Sequence, residues 1–145
     1  VETDAFAGMP DTNTCMTCHS QLYTDAPLLA PLHRAAASGE PIAWNRVYKL
    51  PDFVYFDHSI HIAKGVGCVE CHGRVDQMPL TWRASPLHMQ WCLACHTDPA
   101  PHLRPRDELF TLSAPRSSPE EAAQLADALQ LQTTRRLTDC STCHR

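Results

Sequence analysis

Cys68-Val-Glu-Cys71-His72 and Cys92-Leu-Ala-Cys95-His96 stand 19 residues apart in the middle of a 145-residue chain, and the same pentapeptide returns on either side. Cys15-Met-Thr-Cys18-His19 comes before them and Cys140-Ser-Thr-Cys143-His144 after them. The four Cys-x-x-Cys-His copies use all eight cysteines. This is the attachment sequence of a c-type haem: two thiols bond the porphyrin vinyls, and the next imidazole takes one axial face of the iron. Chance would supply about 0.03 such matches in a chain of this composition, so four decide the reading. Zinc also uses paired cysteines, but a tetrahedral site gives no reason for histidine to follow the second cysteine every time. A disulfide framework leaves those histidines equally unexplained.

Composition agrees. Only 7% of the residues are aromatic and 12 prolines interrupt the chain, so an ordinary core of long helices or strands is not expected. Four haems would supply large apolar bodies for short segments to wrap. The predicted fold class is therefore mostly α and irregular, a multihaem cytochrome c with little regular secondary structure around a haem core, read as one domain over 1–145. Without haem the polypeptide is expected to be largely unfolded. The formal charge is −4; ionised propionates on four ferric haems bring the holoprotein to about −8. With two lysines and no basic stripe, nucleic acid is not an expected partner. Covalent haem attachment takes place outside the plasma membrane, which predicts a periplasmic location. No run of 18 apolar residues is present, so no membrane span is predicted in these residues. A targeting segment is expected to have been removed, or to lie before Val1.

The motif separations are unequal, which excludes a tandem array of one module and leaves a tight central pair with two tethered outer haems. A short helix is predicted near 28–37, ended by Gly39, with extended chain through Val47–Phe56. Trp44, Trp82 and Trp91 are expected to pack on porphyrin. Ser118, Pro119 and Glu121 predict a capped helix over 119–132. The proline-broken stretch from Pro99 to Arg106 is expected to run extended over the surface.

Each iron needs a second axial ligand or stays open. Beyond His19, His72, His96 and His144 there remain His33, His58, His61, His88 and His102, with Met9, Met16, Met78 and Met89 as thioethers. Enough donors exist to close every iron, which favours electron transfer over catalysis at an open site. In Phe56-Asp-His58-Ser-Ile-His61 two histidines three apart project from one side of a helical turn, and so serve two different haems. Met89, three residues before Cys92, and Met78 in Gln77-Met-Pro are the thioether candidates, with Met89 first. At least one His/Met iron is expected, at a higher potential than the bis-histidine irons. His88 competes with Met89; His33 and His102 are the weaker candidates, since lone histidines near prolines are often solvated, and with His88 they become the missing ligands if all four irons are bis-histidine.

The Phe-x-His-x-x-His lead-in is similar to that of small periplasmic multihaem cytochromes. There the first histidine closes the haem of the following motif and the second closes another. That resemblance assigns His58 to the Cys68/Cys71 haem and His61 to a different one. From Ala5 to Arg145 the chain also resembles the multihaem cytochrome subunit of alternative complex III, a membrane quinol oxidoreductase. The matching runs are Ala5–Pro10, Pro41–Val47, Leu50–Cys68, Cys71–Thr81, Met89–His96 and Cys140–Arg145. The family subunit has five haems and an N-terminal membrane anchor. Its further motif, with its own histidine pair, lies upstream of the region matching Val1. The resemblance implies that a fifth haem and an anchor precede this sequence, or that this is a four-haem relative.

The reading is four haem c groups that carry electrons on the periplasmic face of a quinol-oxidising respiratory or photosynthetic complex. Its partners would be the other subunits of that membrane-bound redox complex and a downstream cytochrome or oxidase. Membrane association would come through those partners or the missing anchor. The chain itself is not read as an enzyme, since no motif carries the lysine substitution some multihaem reductases use. The alternatives are a tetrahaem cytochrome that polymerises into an extracellular conductive filament, and a soluble periplasmic shuttle.

Overall fold

A computed structural model describes residues 1–144. Their regular structure is eight short α-helices: α1 Thr12–His19, α2 Ala30–Ser38, α3 His58–Ala63, α4 Cys68–His72, α5 Met89–Thr97, α6 Pro119–Ala128, α7 Thr134–Leu137 and α8 Cys140–Cys143. The longest is ten residues. Among the described residues there is no β-strand in a ladder, only isolated antiparallel bridges at Val54–His144 and Val66–Leu103. The predicted mostly helical, irregular class is what the chain adopts. No helix is long and apolar enough to cross a membrane.

All four attachment motifs are helical, with only His144 falling one residue past its helix. The spacing explains this. On a helix, positions i, i+3 and i+4 share one face, so Cys, Cys and His converge on one side only if the pentapeptide coils. Turns this short are marginal alone, and side chains cap the first and fourth motif helices and α3. Asp11, Asp57 and Asp139 accept from the backbone N–H of Thr14, Ser59 and Ser141 at 2.9, 2.8 and 2.9 Å.

Two compact units form. The smaller, Gly8–Arg46, packs α1 on α2 and buries Leu32 and Ala35. The expected helix near 28–37 appears as a 3-10 turn, Pro27–Leu29, running into α2. It ends where expected: Gly39 takes φ 74°, a left-handed setting that costs glycine nothing.

The larger unit takes in residues 1–7 and the described chain from Val47 on. The predicted Ser118/Glu121 capping box forms in full at the start of α6. The helix stops at Ala128, short of the predicted 132. Gln130 swings to φ 49°, and the Leu131 N–H reaches back to the Ala126 carbonyl, a Schellman closure. Lys64 donates to the freed Leu129 carbonyl at 2.7 Å, placing a cation at the negative helix end. Leu129 meanwhile packs against the turn at Gly65, where an added Cβ would lie 2.8 Å from its Cδ1.

One expectation is overturned. The proline-broken stretch after Pro99 does not run over the surface. Ala100–His102 is a 3-10 turn, Leu103 is 1% exposed and Arg104 4%. Backbone bonds draw it inward: the Arg104 N–H donates to the Gly65 carbonyl at 2.8 Å, and the Ser117 hydroxyl donates to the Leu103 carbonyl. With Leu109 and Ala122, Leu103 forms the buried apolar centre of this unit. That is very little core for so many residues. Meanwhile Phe6, Trp44, Phe53, Leu80, Trp82 and Met89 lie more than half exposed.

Candidate haem-binding site

The second and third motifs are joined through α3. Asp57 caps this helix, and His58 and His61 leave it one turn apart. The His58 ring lies parallel to His72 of the second motif, with centroids 6.4 Å apart and 9° between planes. His61 faces His96 of the third motif at 6.1 Å and 32°. Two imidazoles bound through Nε2 to opposite sides of one metal ion, at about 2.0 Å each, have centroids about 6.3 Å apart. Both pairs match that separation, so the residues fit two bis-imidazole haems. His58 stands opposite the motif that follows it, and His61 opposite the third motif.

The other ring nitrogens are arranged to suit. Nδ1 donates to the carbonyl of Ala5 from His58 at 2.9 Å, of Asp57 from His61 at 2.7 Å, and of Leu137 from His96 at 2.9 Å. His144 and His19 do the same to Phe53 and Leu22, at 3.2 Å each. A carbonyl can only accept, so Nδ1 holds the proton and Nε2 keeps the lone pair an iron needs. Burial also pushes the pKa of His61 and His72 below the usual imidazole value, favouring that neutral form. His88 is set the opposite way. Its Nδ1 accepts from the Trp91 N–H at 3.0 Å, so the proton sits on Nε2 and the ring acts as the N-cap of α5.

The motifs of the larger unit are also tied to one another. Burial pushes the free Cys71 thiol up to about 12 and Cys95 to about 11; in each case Glu70 and Cys92 add to the effect. Burial also raises Cys92, with Cys143 of the fourth motif adding to it. The Tyr55 N–H donates to the Cys143 carbonyl at 2.8 Å, so the fourth motif pairs with the segment that leads into α3. Between the two cysteines of the second motif stands Glu70, its side chain 8% exposed. It accepts from His102 Nδ1 at 2.8 Å, Arg116 at 3.2 Å and the buried Arg104 at 3.3 Å. Burial alone would raise the Glu70 carboxyl, but the hydrogen bonds from His102 and Arg104 outweigh it and hold the group below its usual value.

In the smaller unit Cys15 opens on a cavity of about 450 Å³ that Met9, Ala35, Ile42 and Trp44 also line. His33, a weaker ligand candidate from sequence, has its Nε2 buried with no hydrogen-bond partner. Among the described residues no second imidazole stacks on His19 or His144. Met89 is 65% exposed at the start of α5. The Met78 methyl reaches the turn after the second motif, 3.5 Å from where a Cβ on Gly73 would lie.

Sequence reasoning passed over the aromatic side chains that lie against these rings. Tyr48 meets His72 edge-on at 4.7 Å, and Phe53 stacks on His144 at 5.9 Å. Phe56 touches both His58 and His61. Their clustering in the stretch 48–56, directly ahead of the histidine pair, was the available signal.

Among the described residues no three Cys, His, Asp or Glu side chains converge as a bare metal ion would require, and all eight cysteines are unpaired. What remains is a chain whose thiols and facing imidazoles suit porphyrin iron, which defines a multihaem c-type cytochrome, an electron-transfer protein. Residues 54–145 match the family described as cytochrome c7 and related cytochrome c, and the chain belongs to that family. It is also 30% identical, over 100 residues, to the multiheme cytochrome c subunit of a menaquinone reductase from Nitratidesulfovibrio vulgaris strain Hildenborough. That match covers 68% of this chain and 41% of the relative, so the chain spans about two fifths of the relative's length.

Proposed function

We propose that the chain binds four haems c and passes electrons among them as the periplasmic wire of a membrane quinol-oxidising complex. Cys15/Cys18, Cys68/Cys71, Cys92/Cys95 and Cys140/Cys143 would hold the porphyrins, with His19, His72, His96 and His144 as proximal ligands. His58 and His61 would close the second and third irons. The observation that carries this reading is the two facing imidazole pairs, His58–His72 and His61–His96, with centroids 6.4 and 6.1 Å apart and one ring of each pair supplied by α3. Bound haem supplies the one-electron ferric/ferrous couple. The protein's part is to fix the tautomers of His19, His58, His61, His96 and His144 through Nδ1 and to shield the central irons. It also locks the second, third and fourth motifs together, so that electrons cross fixed gaps.

For the two outer irons, a thioether remains the favoured ligand at one, Met89 first and Met78 second. Met89 carries no burial or bonding role that would compete. The first haem has Met9 beside Cys15 and the unpartnered His33 nitrogen within its own unit. A fifth haem upstream would follow from the resemblance to the alternative complex III subunit. That resemblance and the menaquinone reductase relative both support a partner complex that handles quinone.

A pyridine haemochrome assay, followed by anaerobic mixing of the oxidised protein with its purified membrane partners and menaquinol, tests this. Four haems per chain, reduced only when the partners are present, is the expected result. Two or fewer haems would remove the basis of the reading. Full reduction by menaquinol without partners would assign the quinol chemistry to this chain instead.

A further inference from the structure

The two central imidazole pairs differ in what lies behind their rings. Nδ1 of His58, His61 and His96 donates to the carbonyls of Ala5, Asp57 and Leu137, at 2.9, 2.7 and 2.9 Å. Among the described residues no carbonyl does this for His72. Besides His58, the ring it meets is that of Tyr48, edge-on, with centroids 4.7 Å apart and 68° between planes. Tyr48 is itself held in place. Its hydroxyl accepts from the Ala84 N–H at 2.8 Å and donates to the Cys71 carbonyl at 3.3 Å. Arg83 Nε donates to the Val47 carbonyl at 3.0 Å, so residues 83–84 grip residues 47–48. Gly73, next after His72, makes room for this grip, since a Cβ there would lie 2.8 Å from the Ala84 Cβ.

A hydrogen bond from Nδ1 lends an imidazole anionic character and makes Nε2 the stronger donor, which stabilises ferric iron. His61 and His96 both have that bond; of His58 and His72, only His58 has it. We propose that Tyr48 is a positioning residue that keeps a ring, not an acceptor, against His72. The iron between His58 and His72 consequently holds an electron more readily than the iron between His61 and His96. One electron then passes downhill from the third iron, left ferric, to the second, left ferrous. Glu70 does not set this order, because its charge reaches both Cys71 of the second motif and Cys95 of the third.

The inference rests on the bis-imidazole reading of these two haems, and the test tells the two apart. A redox titration of the holoprotein is followed by electron paramagnetic resonance, with signals assigned through His58→Ala and His61→Ala. The second iron should have the higher midpoint potential of the pair. Tyr48→Leu removes the ring and admits water as an acceptor for His72, so the second midpoint should fall toward the third while the third stays. Tyr48→Phe keeps the ring and should keep the order. A second midpoint at or below the third in the unaltered protein overturns the inference, even where leucine lowers haem content. A gap that Tyr48→Leu leaves unchanged overturns it too. Absence of bis-imidazole signals from the unaltered protein would instead overturn the ligation itself.

Discussion

His58 and His61 sit one helical turn apart, yet they face histidines of different motifs, His72 and His96. His58→Ala should convert the haem of Cys68/Cys71 from six-coordinate low-spin to high-spin, and His61→Ala should do so at the haem of Cys92/Cys95. Haem-resolved magnetic resonance checks this; if both variants alter one iron, the geometry of α3 is misread. Gln130 offers a test independent of haem. It holds a left-handed φ of 49°, which costs a side-chain-bearing residue about 1 kcal/mol relative to glycine. Gln130→Gly should therefore raise stability by about 1 kcal/mol in denaturant titration, with its spectra unchanged. A loss of stability would mean the Gln130 side chain makes a compensating contact.

The elements around α4 meet at Glu70. Removing this carboxylate leaves Arg104 buried with its charge uncompensated, so Glu70→Gln should cost about 3 kcal/mol. The pH dependence has a definite sign. The folded carboxyl titrates below its unfolded value of about 4.5, so the unfolded state binds more protons in that range. The contribution is fully present above pH 4.5 and is lost as the pH falls through the lowered folded value. Glu70→Gln should flatten that acid limb in chemical denaturation of the holoprotein. A parallel limb would move the acid sensitivity to other groups.

At this scale, what could be read from sequence followed locality. The motif helices, the Asp57-capped histidine pair, Gly39 and the Ser118 capping box are all set by neighbours within four residues, and all are legible. The end of α6 was not, because Leu129 and its carbonyl are captured by Gly65 and Lys64, more than 60 residues earlier. The burial of Leu103 and Arg104 was hidden for the same reason, since prolines and charges nearby mimic a surface loop. His61 could be assigned to a different haem from spacing, but its pairing with His96 depends on α3 meeting α5. The contacts of Tyr48, Phe53 and Phe56 with the histidine rings likewise appear only once those rings have been placed.

Across the described residues, few apolar side chains are buried, while many large ones lie exposed. The cofactors must supply most of the core. Chain expressed without haem attachment should show weak, non-cooperative thermal unfolding by far-ultraviolet circular dichroism, against a cooperative transition for the holoprotein. A cooperative transition in the haem-free chain would show that the polypeptide holds this fold by itself.

Four attachment motifs should hold four haems, the middle two clamped between histidines of one helix and of two motifs. Intact mass of the purified holoprotein, read with its oxidised paramagnetic resonance spectrum, tests it most directly. Four covalent haems per chain and at least two bis-imidazole low-spin irons are expected. Two or fewer haems, or no bis-imidazole iron, would contradict it.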